Sequence, residues 1–269
     1  MNTINKVFRG GIRFALPALI LAASQGMLAQ TANPVVAASA MTSPVGESDF
    51  MRASALIGKN VHDANNKNMG EIRDMIIDVT TGTVRYVMFE YDPGVFKTGK
   101  LYAVPMKSLT LAADGKTLGY NGVTREQLDR VATNKTDWKA ALANTRYLDS
   151  VDTVYGVKRE NVEPNLQRAS DLIGRDVNSR EGKDIGDIKE LVVDMRTSTV
   201  RYAVLAFDPS IFSAEKMFAF PMTAFKPGRD RDHLTLDVDR QRLEAMKSFD
   251  KDRWSLATDI RSIDVNKLP

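Results

Sequence analysis

The 269-residue chain has no cysteine, which excludes disulfides, thiolate zinc sites, iron–sulfur clusters and cysteine nucleophiles. Its two histidines leave little for a His-rich metal site, while 43% hydrophobic and 26% charged residues are ordinary for a folded chain. A pI near 9.0 hints at a polyanion partner until the charge is located. Lys6, Arg9 and Arg13 are the only charged side chains in residues 1–40, and an apolar stretch from Phe14 to about Ala29 follows them. That stretch is shorter than the roughly 20 residues a spanning helix needs. With the small residues Ala38-Ser39-Ala40 behind it, it predicts a secretory signal peptide over 1–40 and a periplasmic location; a retained N-terminal anchor is the alternative. Beyond residue 40 the chain carries 34 basic and 34 acidic residues, so no nucleic-acid partner is expected.

Residues 41–51 are expected to be a flexible lead-in. Behind them the chain repeats itself: residues 53–109 align with 169–225 without a gap at an offset of 116, with 22 of 57 positions identical. Trp138 and Trp254 keep that offset, so each unit includes a tail. The expected organisation is a first unit over 52–138, a linker over 139–167, a second unit over 168–254 and a C-terminal segment over 255–269.

Within a unit the signals are short strands and turns. Val61 lies in a strand that reaches the polar turn Asn65-Asn66-Lys67-Asn68. The aliphatic run 72–79 is followed by Thr80-Thr81-Gly82, and 84–91 then alternates as a central strand. Asp92-Pro93-Gly94 ends it, because proline has no N–H for a ladder. Short strands are expected at 101–104 and 108–111, separated by Pro105, with a turn at Asp114-Gly115-Lys116. Closure of such strands into a small barrel removes exposed edges. The tails change period: Thr124 with Gln127 has capping-box spacing before Leu128 and Val131, and Asp239 stands likewise before Leu243 and Met246. Residues 151–157 are read as one more strand.

The residues Leu56-Ile57-Gly58, Gly70, Ile76-Ile77-Asp78, Thr83-Val84-Arg85-Tyr86 and Ala103-Val104-Pro105 resemble the PRC-barrel family. The second copy repeats the pattern with Leu172-Ile173-Gly174, Gly186, Val192-Val193-Asp194, Val200-Arg201-Tyr202 and Ala219-Phe220-Pro221. The resemblance implies a mostly β fold of two tandem small antiparallel barrels, each followed by a short helical tail and each acting as a docking module. Two departures stand out. Ser198 takes the place of the turn glycine Gly82, and methionines (Met106, Met222) follow the prolines where the family often has tryptophan.

Candidate chemistry is sparse. Asp78 with Arg85, and Asp194 with Arg201, lie seven residues apart across a tight turn, where a salt bridge or turn interaction is the expected role. Glu71, Asp74 and Asp78, echoed by Asp187, Glu190 and Asp194, imitate a carboxylate cluster. On a strand, however, Asp74 and Asp78 share a face and Glu71 points opposite. No phosphate cradle, HExxH or GxSxG occurs. No catalytic residue, cofactor or metal is therefore expected. Segments 91–96 and 207–212 place aromatics on both sides of an Asp-Pro turn, which makes Tyr91, Phe96, Phe207 and Phe212 the candidate partner-binding residues. The expected function is an exported, non-enzymatic protein-interaction or scaffold module of the bacterial envelope. The alternatives are an accessory subunit docking on a membrane redox complex and a carboxylate-dependent hydrolase.

Overall fold

The computed structural model describes residues 49–91, 100–112, 114–134, 138–158, 165–208, 215–228 and 232–249. The expected signal peptide, Phe96 and Phe212 lie outside them. The first copy runs β1 (Phe50–Arg52), the single-turn α1 (Ala53–Leu56), β2 (Asn60–His62), β3 (Asn68–Asp78), β4 (Thr83–Tyr91), β5 (Lys100–Val104), β6 (Leu109–Leu111) and β7 (Leu118–Tyr120). Its tail is α2 (Arg125–Asp129), β8 (Ala132–Asn134), α3 (Trp138–Leu142) and α4 (Thr145–Tyr155). The second copy repeats the order with β9 (Leu166–Arg168), α5 (Ala169–Leu172), β10 (Asp176–Asn178), β11 (Asp184–Asp194), β12 (Thr199–Phe207), β13 (Lys216–Phe220), β14 (Phe225–Pro227), β15 (Leu234–Leu236) and α6 (Arg240–Ala245). The fold is mostly β, as the sequence pattern implies.

Long hairpins β3–β4 and β11–β12 form the backbone of each unit. A bulge at Arg73 slips the β3–β4 register between Ile72 and Asp74, which re-phases every side chain that follows. Ile72 before the bulge and Met75, Ile77 and Val79 after it therefore all enter the inner core. Asp74 and Ile76 fall on the outer face. The bulge also corrects one expectation: Glu71 and Asp74 lie on the same side, because the extra residue between them reverses the strict alternation. Gly70, at φ +139, makes the bend close; a Cβ there would lie 1.7 Å from the Glu90 carbonyl oxygen, and at Gly186 1.9 Å from that of Ala206.

The turns follow from local polar groups. Asp63 Oδ1 accepts from the N–H groups of Asn65 and Lys67, both at 2.9 Å, and Asp114 Oδ1 from those of Lys116 and Thr117 at 2.8 and 2.9 Å. Ser198 adopts φ 56 where Gly82 has φ 71, so both hairpins use the same left-handed turn residue and only the glycine does so without steric cost.

The two copies are joined by exchange. β1 of the first copy pairs with β11 of the second, Met51 opposite Val193, while β9 of the second pairs with β3 of the first, Gln167 opposite Ile77. These pairs are related by the offset of 116, so a pseudo-two-fold axis runs through the molecule. It passes beside Thr83, whose ladder partner Thr199 is its own repeat equivalent. Val84 N donates to Ser198 O at 2.8 Å and Val200 N to Gly82 O at 2.7 Å, closing the junction symmetrically. The fifteen strands of the described residues belong to one sheet, and the inner faces of both copies merge into a single hydrophobic core that holds Leu56, Phe89 and Tyr102 with Leu172, Leu205 and Phe218. Phe50 and Met51, expected in the lead-in, are thus structural: with Arg52 they form β1 and pair along the edge of β11.

The tail of the first copy covers its outer sheet face. Leu148 and Val151 on α4 and Trp138 and Leu142 on α3 pack over Ile76, Tyr86, Met88 and Leu101. Tyr86 donates to the buried Asp152 at 2.6 Å, anchoring α4. Of the strand expected at 151–157, residues 151–155 are instead part of this helix, because Leu148, Val151 and Tyr155 recur at helical spacing. Asn144 caps its start and Gly156, at φ 61, ends it.

Candidate interaction site

Tyr91 closes β4 at one end of the first unit. Helix α2 begins close by, set by a capping box in which Thr124 accepts from Gln127 N while the Gln127 side chain accepts from Thr124 N, and by burial of Leu128. This orientation lays the Arg125 guanidinium 3.6 Å over the Tyr91 ring, a contact typically contributing about 0.5–1 kcal/mol at an exposed site. Arg125 also bonds Asp129 at 3.3 Å, and Asp129 receives Tyr102 OH at 2.9 Å and Lys100 at 3.2 Å. The Tyr102 bond holds the Asp129 carboxyl below its ordinary range. Burial, reinforced by that same carboxylate, pushes the Tyr102 hydroxyl up to about 12. Tyr102 stands edge-on to Tyr91, with centroids 6.3 Å apart, and stacks on Phe89 at 5.3 Å. Tyr120 meets Tyr155 oxygen to oxygen at 3.0 Å, and burial raises the pKa of both. Gly122 lies against it: a Cβ there would fall 2.2 Å from the Tyr120 oxygen, so the tyrosine would have to shift.

Between these groups lies an open groove of about 340 Å³, lined by Asp63, Met69, Tyr91, Tyr120, Val123 and Arg125 among others. Met69, Tyr91 and Val123 are half-buried. The groove offers aromatic and thioether surface with one guanidinium at its edge, a mixture suited to recognising a peptide or protein surface.

The second unit builds the same end differently. Arg240, first residue of α6, sits 5.0 Å over the Phe207 ring and pairs with Glu244 at 3.4 Å, while Lys216 Nζ donates to Glu244 O at 2.8 Å. Here Ile185, Phe207, Leu236 and Val238 are all buried, with no more than 3% exposed. Phe207 is therefore corrected as a contact residue: its ring is 0% exposed and packs on Phe218 with centroids 6.1 Å apart. Replacement of tyrosines 91 and 120 by Phe207 and Leu236 removes the hydroxyls that favour a wet rim.

The carboxylates have structural posts. Asp74 accepts from Ser170 N at 3.2 Å and Ser170 Oγ at 2.5 Å; symmetrically, Glu190 accepts from Ser54 N at 3.2 Å and from Ser54 Oγ. Each acid is buried under the first turn of the other copy's helix. Asp78 Oδ1 accepts from Thr80 N at 3.1 Å, and Asp194 Oδ1 from Arg196 N and Thr197 N at 2.9 and 3.2 Å. These are turn interactions; among the described residues no Asp78–Arg85 or Asp194–Arg201 ion pair forms, because the β3–β4 register slips at Arg85 and the carboxylates serve the turn. His62 Nδ1 lies 3.0 Å from Asn66 Oδ1. Among the described residues no group of three or more His, Asp or Glu is placed to hold a metal, and no helix is long and apolar enough to cross a membrane.

Sequence reasoning named Tyr91, which lies half-buried at the groove, and passed over Arg125, Arg240 and the two serine–acid pairs. The arginines were legible as R-x-x-x-D and R-x-x-x-E four residues deep in each tail, but at an offset of 115 they escape a gapless comparison that stops at 109. The family model described as PRC-barrel domain matches residues 48–119 and 164–241, one segment in each copy. Among curated proteins none matches the chain.

Proposed function

We propose, for a chain that belongs to the PRC-barrel family, that it is an exported, non-enzymatic interaction or scaffold module of the bacterial envelope. It takes its partner at the Tyr91–Arg125 end of the first unit. The observation that carries this reading is the divergence of two equivalent ends. One keeps Met69, Tyr91 and Val123 half-exposed around a groove, and the other packs Ile185, Phe207 and Val238 away from solvent. Duplication supplies two copies; one stabilises the pair while the other is free to recognise. Asp74 and Asp78, the acids a hydrolase reading would use, are engaged in holding a helix and a turn, which supports the non-enzymatic reading.

The test is cross-linking in intact producing cells with the full chain and three variants: Met69→Glu, Arg125→Glu and, as a control in the second unit, Arg180→Glu. The expected result is one specific adduct, lost in the first two and retained in the third. An adduct equally strong in all four, or none in cells rich in the protein, overturns the proposal.

A further inference from the structure

Where the exchanged strand β9 lies along the first copy there is a second cavity. It is open, holds about 380 Å³, and shares no described lining residue with the Tyr91–Arg125 groove. Its apolar wall is the buried Ile76 of β3 with the half-buried Leu142 of α3 and Leu166 of β9. Its polar groups form one connected set. Arg168 Nε donates to Asp171 Oδ2 at 2.6 Å and Nη2 to Oδ1, a fork on a carboxylate. The same guanidinium lies 5.4 Å from the Trp138 ring. Arg175 Nε donates to the Asp171 carbonyl oxygen at 3.1 Å and Nη1 to Gln167 Oε1, while Gln167 Nε2 donates to Asn165 Oδ1 at 3.4 Å. Both guanidiniums are thus held in place at the cavity wall, which lowers the entropic cost of engaging a ligand.

The fold does not ask for this set. At the equivalent seat in the other copy, Gln167, Asp171 and Arg175 are replaced by Met51, Ala55 and Lys59. There β1 pairs with β11 as β9 pairs with β3 here. Met51 is 9% exposed and joins the core, and Lys59 Nζ donates instead to the Lys116 carbonyl oxygen at 2.9 Å. An apolar residue on the strand and no acid after it serve the exchange equally well, whereas partly burying an amide, a carboxylate and a further guanidinium carries a desolvation cost. Arg168 and Arg175 against Asp171 leave the described lining one positive charge in excess. A monoanion with a hydrocarbon body matches both walls, and the volume lies within the range of small-molecule sites. We propose that this cavity binds a small organic carboxylate, its charged group on Arg175 and the Asn165 amide and its hydrocarbon on Ile76, Leu142 and Leu166. Ile76 and Leu142 come from the first copy and residues 165–175 from the second, so the site exists only in the exchanged pair.

The probes are benzoate and hexanoate, with benzamide and inorganic phosphate for comparison, each titrated into the full chain by calorimetry. Ligands of so few atoms bind in the millimolar range. The expected result is saturable binding of at least one of the two carboxylates. Benzamide, which lacks the charge, and phosphate, which lacks the hydrocarbon, are expected to bind more weakly. In the variant Gln167→Met/Asp171→Ala/Arg175→Lys, which carries the other copy's residues, carboxylate affinity is expected to fall about tenfold. That variant loses an acid and keeps its cations, so unspecific attraction of anions would strengthen binding instead. Affinity unchanged or increased in the variant overturns the proposal. So does benzamide or phosphate binding as tightly as the carboxylates, or no saturable binding of either carboxylate in the millimolar range. A measurement on the unmodified chain decides the matter should the variant not fold: in nitrogen-edited NMR spectra the carboxylate that binds is expected to move the side-chain amide signals of Asn165 and Gln167, and shifts confined to other residues overturn the proposal.

Discussion

Ser170 in the second copy donates its hydroxyl to Asp74 in the first at 2.5 Å, across 96 residues of sequence. Its repeat equivalent, Ser54, makes the mirror contact to Glu190. A buried carboxylate accepting a hydroxyl and an N–H at a helix start is a charge-assisted cap, worth about 1.5–3 kcal/mol per bond to a charged group. Asp74→Ala and Glu190→Ala are each expected to lower stability by about 2 kcal/mol. Because one core serves both copies, a single unfolding transition should persist in each variant. Urea denaturation followed by tyrosine and tryptophan signals together checks both points, and a transition that splits in two would show the units to be energetically separate.

Strand exchange predicts that the copies survive a cut between them. With a protease site placed within residues 159–164, the cleaved halves are expected to co-elute in native buffer and separate only in denaturant. β1 and β9 each remain hydrogen-bonded to the opposite half. Halves that separate on dilution would show that the exchanged strands contribute little.

The turn pair Gly82 and Ser198 offers opposite mutations at equivalent places. Both have positive φ, 71 and 56. Gly82→Ala should cost about 1 kcal/mol. Ser198→Gly should be neutral to stabilising by up to about 1 kcal/mol, relief of strain being offset by the greater freedom of glycine in the unfolded chain. Gly70→Ala is a harsher case, since the new methyl carbon would collide with the Glu90 carbonyl. Thermal unfolding of the three variants should therefore rank Ser198→Gly highest and Gly70→Ala lowest.

Alkali should weaken the first unit through Tyr102. Its pKa rises from 10.0 to about 12 in the folded protein, through burial and then its bond to Asp129. The unfolded chain therefore loses this proton first. The stabilisation is complete below pH 10 and declines as pH rises toward 12. The urea midpoint is expected to fall across that window, and to fall less in Tyr102→Phe. Equal slopes would mean that Tyr102 titrates alike folded and unfolded; Tyr147, pushed up to about 12 by burial, supplies a remaining slope in both.

What could be read from the amino acids alone was whatever acts over a few residues. Asp63 and Asp114 close their turns, Thr124 and Asp239 cap their helices, and the hairpins lie where the aliphatic alternation put them. The bulge at Arg73 was not legible, since a one-residue slip is set by how two strands fit a common core rather than by either strand's pattern. Neither was the fate of Phe207, which depends on Ile185, Leu236 and Val238 being near it.

The duplication and the β class are properties of the sequence by itself, because periodicity and repetition need no partner to be seen. The exchange belongs to the tertiary structure. Two copies that share Leu-Ile-Gly, the serine of the helix turn and an acid on the long strand offer equivalent seats for β1 and β9, one in each copy. Ser54 has a chemically adequate acid in Asp74 as well as in Glu190. A repeat cannot distinguish pairing within a copy from pairing between copies; chain path and packing around the Thr83–Thr199 axis decide it, and they seat each strand on its neighbour.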